Sequence, residues 1–334
     1  MFFLIFLIWS KICKLSGKYS QKPYPNRKSG QNTITSRKEV ADIFVRHYAQ
    51  ISTAKEEHRI PQNIEKDNNS NDMAINQDFN MKELDDSFQV LEEGKSSGED
   101  QIDNTILKHL PQATKQYLLH LFNKLRTEGT FPLEWKTSII PPILKPGKEQ
   151  TNPKNYRPMS LTGNICKLFV RMVNKRLIWF LEKTHKFSPQ QFGFRPRRNT
   201  IDPIASLTTD ILNGFKERRT TTAVLFDSGK AFETASRNTI ITNLKEMGIT
   251  GKMLNFIHSC LKYRSIKVKI GKTVSERRVA TAGVPQGGVL SATCFLVAID
   301  TIMDTLHNQE CFELHLDCSR TLLKNLKTGL RPLA

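Results

Sequence analysis

Apolar residues recur at helical spacing along much of the chain. Leu84, Phe88 and Leu91 fall at i, i+4 and i+7 behind Asn80 and Glu83, a capping-box pair, so a helix is expected to start at Asn80. The polar stretch Lys95-Ser-Ser-Gly-Glu-Asp100 then breaks it. Further helices are expected around Leu118, Phe122 and Leu125; around Ile165, Leu168, Phe169, Met172, Val173 and Leu177; around Ile204, Leu207, Ile211 and Phe215; and around Ile240, Leu244 and Met247. Each should be mostly buried on one face. A shorter helix is expected between Ser36 and Ser52, where Val40, Phe44 and Tyr48 share a face.

Between these lie short β-like runs at Thr137 to Leu144, Thr222 to Phe226, Ile266 to Ile270 and Thr273 to Ala280. The run Ile266-Lys-Val-Lys-Ile270 alternates, and Gly271-Lys272 follows as a turn, so a hairpin with one basic face is expected. Helices and strands interleave without a regular βαβ rhythm or an internal repeat, which favours an α+β fold over a doubly wound sheet. Residues 56–71 are almost devoid of apolar side chains and read as a disordered linker within a polar N-terminal segment, 1–78. The opening run Met1 to Trp9 is apolar but far short of the ~20 residues that span a bilayer. Basic residues follow it rather than precede it, unlike a signal peptide, so an arbitrary start within a longer reading frame is the simpler expectation.

Charge narrows the partners. Lys+Arg number 50 against 32 Asp+Glu in 334 residues, a formal net charge of +18 and a pI near 9.7. Such a surface suits a polyanion, either nucleic acid or an anionic membrane, because bound phosphates release their counterions. The six cysteines are spread without a CxxC pair, which suggests neither a disulfide framework nor a zinc ribbon and fits a reducing compartment. Cys311, His315 and Cys318 lack a fourth partner for zinc.

Two segments carry candidate chemistry. In Ala223-Val-Leu-Phe-Asp227-Ser-Gly-Lys-Ala-Phe232-Glu, an apolar strand delivers a carboxylate to its tip and a helix follows directly. Asp227 there can hold a metal ion, or it can cap the helix by accepting the amide of Gly229 or Lys230. In Ala282-Gly-Val-Pro-Gln286-Gly287-Gly288-Val-Leu-Ser291, a Gly-rich turn enters an apolar stretch. Its glycines let backbone approach a planar ligand, and Gln286 offers a donor and an acceptor; the alternative is an ordinary loop before a buried helix.

Together these segments resemble motifs A and B of reverse transcriptases, in the family's order and spacing. Lys95-Ser-Ser-Gly-Glu-Asp100-Gln-Ile, Phe131-Pro-Leu-Glu-Trp135-Lys, Ile143-Leu-Lys145-Pro-Gly147-Lys148, Asn155-Tyr-Arg157-Pro-Met-Ser160-Leu and Gln191-Phe-Gly193-Phe-Arg195 resemble the fingers motifs of non-LTR retrotransposon polymerases of the jockey and X-element kind. The resemblance covers about 79–299. It implies a right-hand polymerase, with fingers over 79–215, palm over 216–318 and a tail over 319–334. It also implies RNA-templated DNA synthesis, with an RNA template, a DNA primer, deoxynucleoside triphosphates and two Mg²⁺ ions. By the same resemblance Asp227 and the Ser228 carbonyl would ligate metal, and Phe232 would pack under the sugar. Lys145 and Arg157 would bind the triphosphate, while Gln286 and Gly287 would line the nucleotide pocket. Arg195, Arg197, Arg198, Lys262, Arg264, Lys267 and Lys269 would contact template or primer phosphates, or form a solvated basic face. No membrane partner is implied, and the oligomeric state is left open.

One family element departs from the pattern. Motif C needs an aromatic residue, a variable one and two consecutive aspartates, and no such pair is present. The nearest segment is Leu314-His315-Leu316-Asp317-Cys318, in which Asp317 lies 317 − 286 = 31 residues after Gln286, about where the family places its first aspartate. His315 then replaces the aromatic and Cys318 the second aspartate. Asp317 is the candidate partner of Asp227, and little or no polymerisation is expected. With the sequence ending at Ala334, the thumb that would follow in the family is expected to be absent. The alternative function is a noncatalytic nucleic-acid-binding remnant.

Overall fold

The structure is a computed structural model that describes residues 36–54, 60, 74–220 and 229–301, together with the backbone of 27–29, 32–34 and 302–307. Its longer helices are α1 (Arg37–Ile51), α2 (Met81–Gln89), α3 (Asn104–Lys108), α4 (Gln112–Thr127), α5 (Asn164–Lys183), α6 (Asp202–Lys216), α7 (Ala231–Thr234), α8 (Arg237–Glu246), α9 (Gly251–Leu261) and α10 (Ser291–His307). The strands are β1 (Arg27–Ser29), β2 (Asn32–Ile34), β3 (Thr137–Ile140), β4 (Pro142–Leu144), β5 (Tyr156–Pro158), β6 (Ser265–Ile270), β7 (Thr273–Val274) and β8 (Arg278–Val279). Helices and small sheets mix as an α+β fold. No helix among the described residues is long and apolar enough to cross a membrane.

Helix α2 starts as its sequence dictates. The Asn80 side chain accepts from the Glu83 amide and the Glu83 carboxylate accepts from the Asn80 amide, both at 3.0 Å, so two otherwise orphaned donors are satisfied. Leu84 and Phe88 on its inner face join a large helical core with α4, α5, α8, α9 and α10. Phe169 of α5 is fully buried there, stacked on Phe122 at 4.5 Å and edge-on to Phe256 at 4.9 Å. Burying an aromatic ring of this kind contributes ~2–3 kcal/mol, and the ring geometry adds to it.

A second, smaller core lies between α1 and the sheet. Val40, Phe44 and Tyr48 of α1 pack on Ile266, Val268 and Ile270 of β6, with Tyr156 edge-on to Phe44 at 4.9 Å. Strand β6 runs parallel to β3, with Thr137 opposite Ser265 and Ile140 opposite Val268, and antiparallel to β7 and β8. The expected alternation is present: Ile266, Val268 and Ile270 point inward, Lys269 is exposed and Lys267 is half-buried.

Three expectations need correction or relocation. The single run expected over 137–144 is two strands in different sheets, because Pro141 has no amide to continue the ladder. Helix α6 forms where expected, but its apolar face is only partly buried: Ile204, Leu207 and Ile211 are half-buried, Phe215 is 70% exposed, and Pro203 is the one fully buried residue. Periodicity marks a face that can be buried, not how completely it is. The strand expected at Thr222 to Phe226 lies outside the described residues.

Candidate nucleotide and metal site

The Gly-rich segment is a bend fixed on three sides. From the N-terminal side, the Ser52 carbonyl at the end of α1 accepts from the Thr281 amide at 2.9 Å and from the Ala282 amide at 2.8 Å. The Ala54 amide donates to Thr281 Oγ1 at 2.9 Å. From the side of α7, the Gly283 amide donates to the Ala235 carbonyl and the Val284 amide to the Phe232 carbonyl, at 2.9 and 2.7 Å. From the block that follows β5, the Ser160 amide donates to the Gln286 carbonyl at 2.8 Å.

Two glycines are required by this geometry. At Gly283 (φ +73°) a Cβ would sit 2.3 Å from the Glu233 carbonyl oxygen, and at Gly287 (φ +91°) it would press to 3.1 Å on Met159 Cε. Sequence reading finds these glycines but not the contacts that demand them.

The bend forms one wall of a small cleft, also lined by Tyr48, Ser160, Glu233, Arg237 and Arg264. Gln286 Oε1 and the Tyr48 hydroxyl are buried, and neither has a hydrogen-bond partner among the described residues. Burial pushes the Tyr48 phenol well above its ordinary value, with nearby Tyr156 and Glu233 adding to the effect, so it stays a neutral donor. Tyr48, Glu233 and Arg237 carried no sequence signal of a site.

The structure ties the Phe232 segment to the bend through the Val284 amide, two residues before Gln286. Phe232 lies between Phe295 of α10 at 5.1 Å and the exposed Phe194 at 6.1 Å, so the Gly-Phe-Arg block, α7 and α10 meet at its ring. Arg157 on β5 is exposed opposite Ile143 of β4, and Lys145, just past β4, donates through Nζ to the Lys154 carbonyl at 3.0 Å.

The basic residues divide. Arg197 and Lys269 are exposed, and Lys267 pairs with Glu99 at 2.5 Å. Arg198 lies over the Phe192 ring, and Lys262 over the exposed Tyr263 ring at 4.9 Å. Arg264 is corrected: it is 4% exposed and donates to the Cys260 carbonyl and to Ser138 Oγ, so it is an internal cation rather than part of the hairpin's outer face. Arg195 is likewise turned inward, with a side chain 6% exposed, bidentate on Glu182 and donating to the Ser188 and Gln191 carbonyls. Its guanidinium holds the Glu182 carboxyl below the ordinary carboxylate value despite partial burial.

Asp227, Ser228 and Asp317 lie outside the described residues. Among the described residues no group of three His, Cys, Asp or Glu side chains could hold a metal ion. Cys166, Cys260 and Cys294 are buried free thiols. Burial pushes the Cys166 thiol up to about 12, which leaves it protonated and unsuited to metal binding.

The Pro-Gln-Gly-Gly bend is thus seated, within a mixed fold, between α7 and the Arg157–Ser160 block. Residues 143–319, more than half of the chain, match the family described as reverse transcriptase (RNA-dependent DNA polymerase), and the chain belongs to that family. It is 32% identical over 217 residues to the probable RNA-directed DNA polymerase from transposon BS of Drosophila melanogaster, covering 65% of this chain and 24% of that protein. It is 31% identical over 196 residues to the corresponding X-element protein of the same species, covering 59% and 22%. Against the RNA-directed DNA polymerase from mobile element jockey of Drosophila funebris it is 26% identical over 300 residues, 87% of this chain and 32% of that protein. The chain thus spans between about a quarter and a third of the length of these relatives.

Proposed function

We propose that this chain is the fingers and palm of a non-LTR retrotransposon reverse transcriptase, with fingers over 79–215 and palm over 216–318, acting on an RNA template, a DNA primer and deoxynucleoside triphosphates. The observation that carries this reading is the bend. Its Gln286 amide oxygen is buried and unpartnered beside Ser160, while Phe232 is pinned on its other side by the Val284 amide.

In this reading Gln286 and Gly287 line the nucleotide pocket, Lys145 and Arg157 draw in the triphosphate, and Phe232 packs under the sugar. Phosphates of the template–primer meet Arg197, Arg198, Lys262, Lys267 and Lys269. Arg195 and Arg264 act from within, by fixing the Gly-Phe-Arg block and the start of β6. Asp227, the Ser228 carbonyl and Asp317 are the proposed ligands of Mg²⁺. When bound, such ions activate the attacking hydroxyl and neutralise the leaving pyrophosphate. Cys318 stands where the family places a second aspartate, so polymerisation is expected to be weak.

Primer extension on an RNA template in Mg²⁺ or Mn²⁺ tests the reading. Slow extension that falls by at least about 100-fold in Asp227→Ala supports it. The cysteine at 318 also favours a second reading, a noncatalytic nucleic-acid-binding remnant. Salt-dependent RNA binding that persists in Asp227→Ala, with no extension by either protein, would select that one. Lys269→Ala should lower the slope of log binding constant against log salt by about one unit, whichever reading holds.

A further inference from the structure

Arg237 stands at the first residue of α8, where a positive charge faces the positive end of the helix dipole. It is 3% exposed. Burial and the neighbouring Arg264 guanidinium push its pKa down to about 9, so the charge is retained at neutral pH against a desolvation cost. A methionine would fill much of the same volume without that cost. What the guanidinium adds is a fork, and each of its three nitrogens reaches the same loop: Nε donates to the Gly283 carbonyl at 2.7 Å, Nη1 to Ala280 at 2.8 Å and Nη2 to Ala282 at 2.9 Å.

These three carbonyls belong to the residues that lead into Pro285 and Gln286. The amides of the same stretch are taken from other directions, Thr281 and Ala282 by the Ser52 carbonyl, Gly283 by Ala235 and Val284 by Phe232. The amides of 281–284 are therefore fixed by two helix ends, that of Ala280 by the Arg264 carbonyl at 3.0 Å, and the carbonyls of Ala280, Ala282 and Gly283 by one buried cation. A loop with positive φ at Gly283 and Gly287 would otherwise have considerable freedom.

We propose that Arg237 is a positioning residue: by clamping the carbonyls of Ala280, Ala282 and Gly283 it holds the bend so that Gln286 meets the incoming nucleotide. The nucleotide half of this inference rests on the polymerase reading above; the clamp does not. Arg237 touches no reacting atom, and its effect passes through the loop.

The test pairs Arg237→Met, which keeps bulk and removes the fork, with Arg237→Lys, which keeps the charge on a single donor group. Hydrogen exchange of 280–288 is compared with that of 164–183 in the helical core, and nucleotide KM and kcat are measured where extension occurs. The expected result is exchange about tenfold or more faster over 280–288 in Arg237→Met, with 164–183 unchanged and Arg237→Lys between. KM for nucleotide should rise more than kcat falls. Unchanged exchange over 280–288 in a folded Arg237→Lys and Arg237→Met would overturn the clamp. So would equal acceleration in both segments, or failure of both variants to fold, since the residue would then serve the whole structure. A loosened bend in a protein whose wild type neither binds nor uses nucleotide would uphold the clamp and overturn the polymerase reading instead.

Discussion

Two regions of this molecule each bury an arginine on backbone carbonyls, and they do so in opposite electrostatic settings. In the helical core, Arg126 donates to the carbonyls of Ile75 and Gln77 and lies over the Phe79 ring, which also faces Arg176. Arg176 is in turn bidentate on Glu83 at 2.6 and 2.7 Å, so acidic and basic groups balance around a well-packed aromatic cluster. At the bend, Arg237 has a second buried cation, Arg264, as its charged neighbour, and what surrounds it is mainly backbone. The first region is held by carbon with polar groups fitted around it. The second is held by polar groups, and its shape depends on individual hydrogen bonds. Stability and site geometry should therefore respond to different substitutions.

The largest effect is expected in the helical core. Phe169→Ala removes a fully buried ring that contacts Phe122 and Phe256 and should destabilise the chain by about 3–5 kcal/mol in chemical denaturation. A loss below about 1 kcal/mol would show that this cluster is not the main source of stability. Next, Gly283→Ala should cost about 2–3 kcal/mol, because its Cβ would meet the Glu233 carbonyl and its φ is positive. Gly147, with φ +70° and open space around it, is the control, and Gly147→Ala should cost only about 1 kcal/mol. Equal costs at the two glycines would contradict the close approach of bend and α7.

Glu83 gives a pH-dependent contrast. Burial alone would raise its pKa, but hydrogen bonds from Arg176 and the Asn80 amide, with the charges of Arg176 and Arg126, hold it below the ordinary 4.5. A carboxyl lowered in the folded state contributes stability that is fully present above pH 4.5 and is lost as pH falls through the folded value. Glu83→Gln should cost about 2 kcal/mol at pH 7 and flatten the decline of stability below pH 4.5. An unchanged acid limb would remove Glu83 from this role. The smallest effect is expected of Asn80→Ala, about 1 kcal/mol, from the loss of one half of the capping box.

The same division separates what the sequence discloses from what it conceals. The start of α2 is legible because a capping box is a local pattern, and α5 because Leu168, Phe169, Met172 and Leu177 repeat at helical spacing. The hairpin of β6 and β7 is legible from alternation and a Gly-Lys turn. The bend is legible as a motif, since its glycines and Gln286 stand together in the chain. Arg264 and Arg195 are not legible as internal groups, because a charge in a sequence does not reveal whether a carbonyl or a carboxylate waits for it in space. Arg237 is harder still, since its partners lie more than 40 residues away and are main-chain atoms that every residue carries. Helix α6 shows the converse, a clear apolar period whose face is only partly buried among the described residues.

We propose Asp227 as a metal ligand serving the nucleotide pocket of Gln286 and Gly287, and Mn²⁺ broadening in nuclear magnetic resonance tests that proposal directly. Mn²⁺ titrated into the isotopically labelled chain should bleach the amides of Val284, Gln286 and Gly287 before those of α5, and Asp227→Ala should abolish this effect. Broadening that spares the bend, or that survives Asp227→Ala, would contradict the assignment.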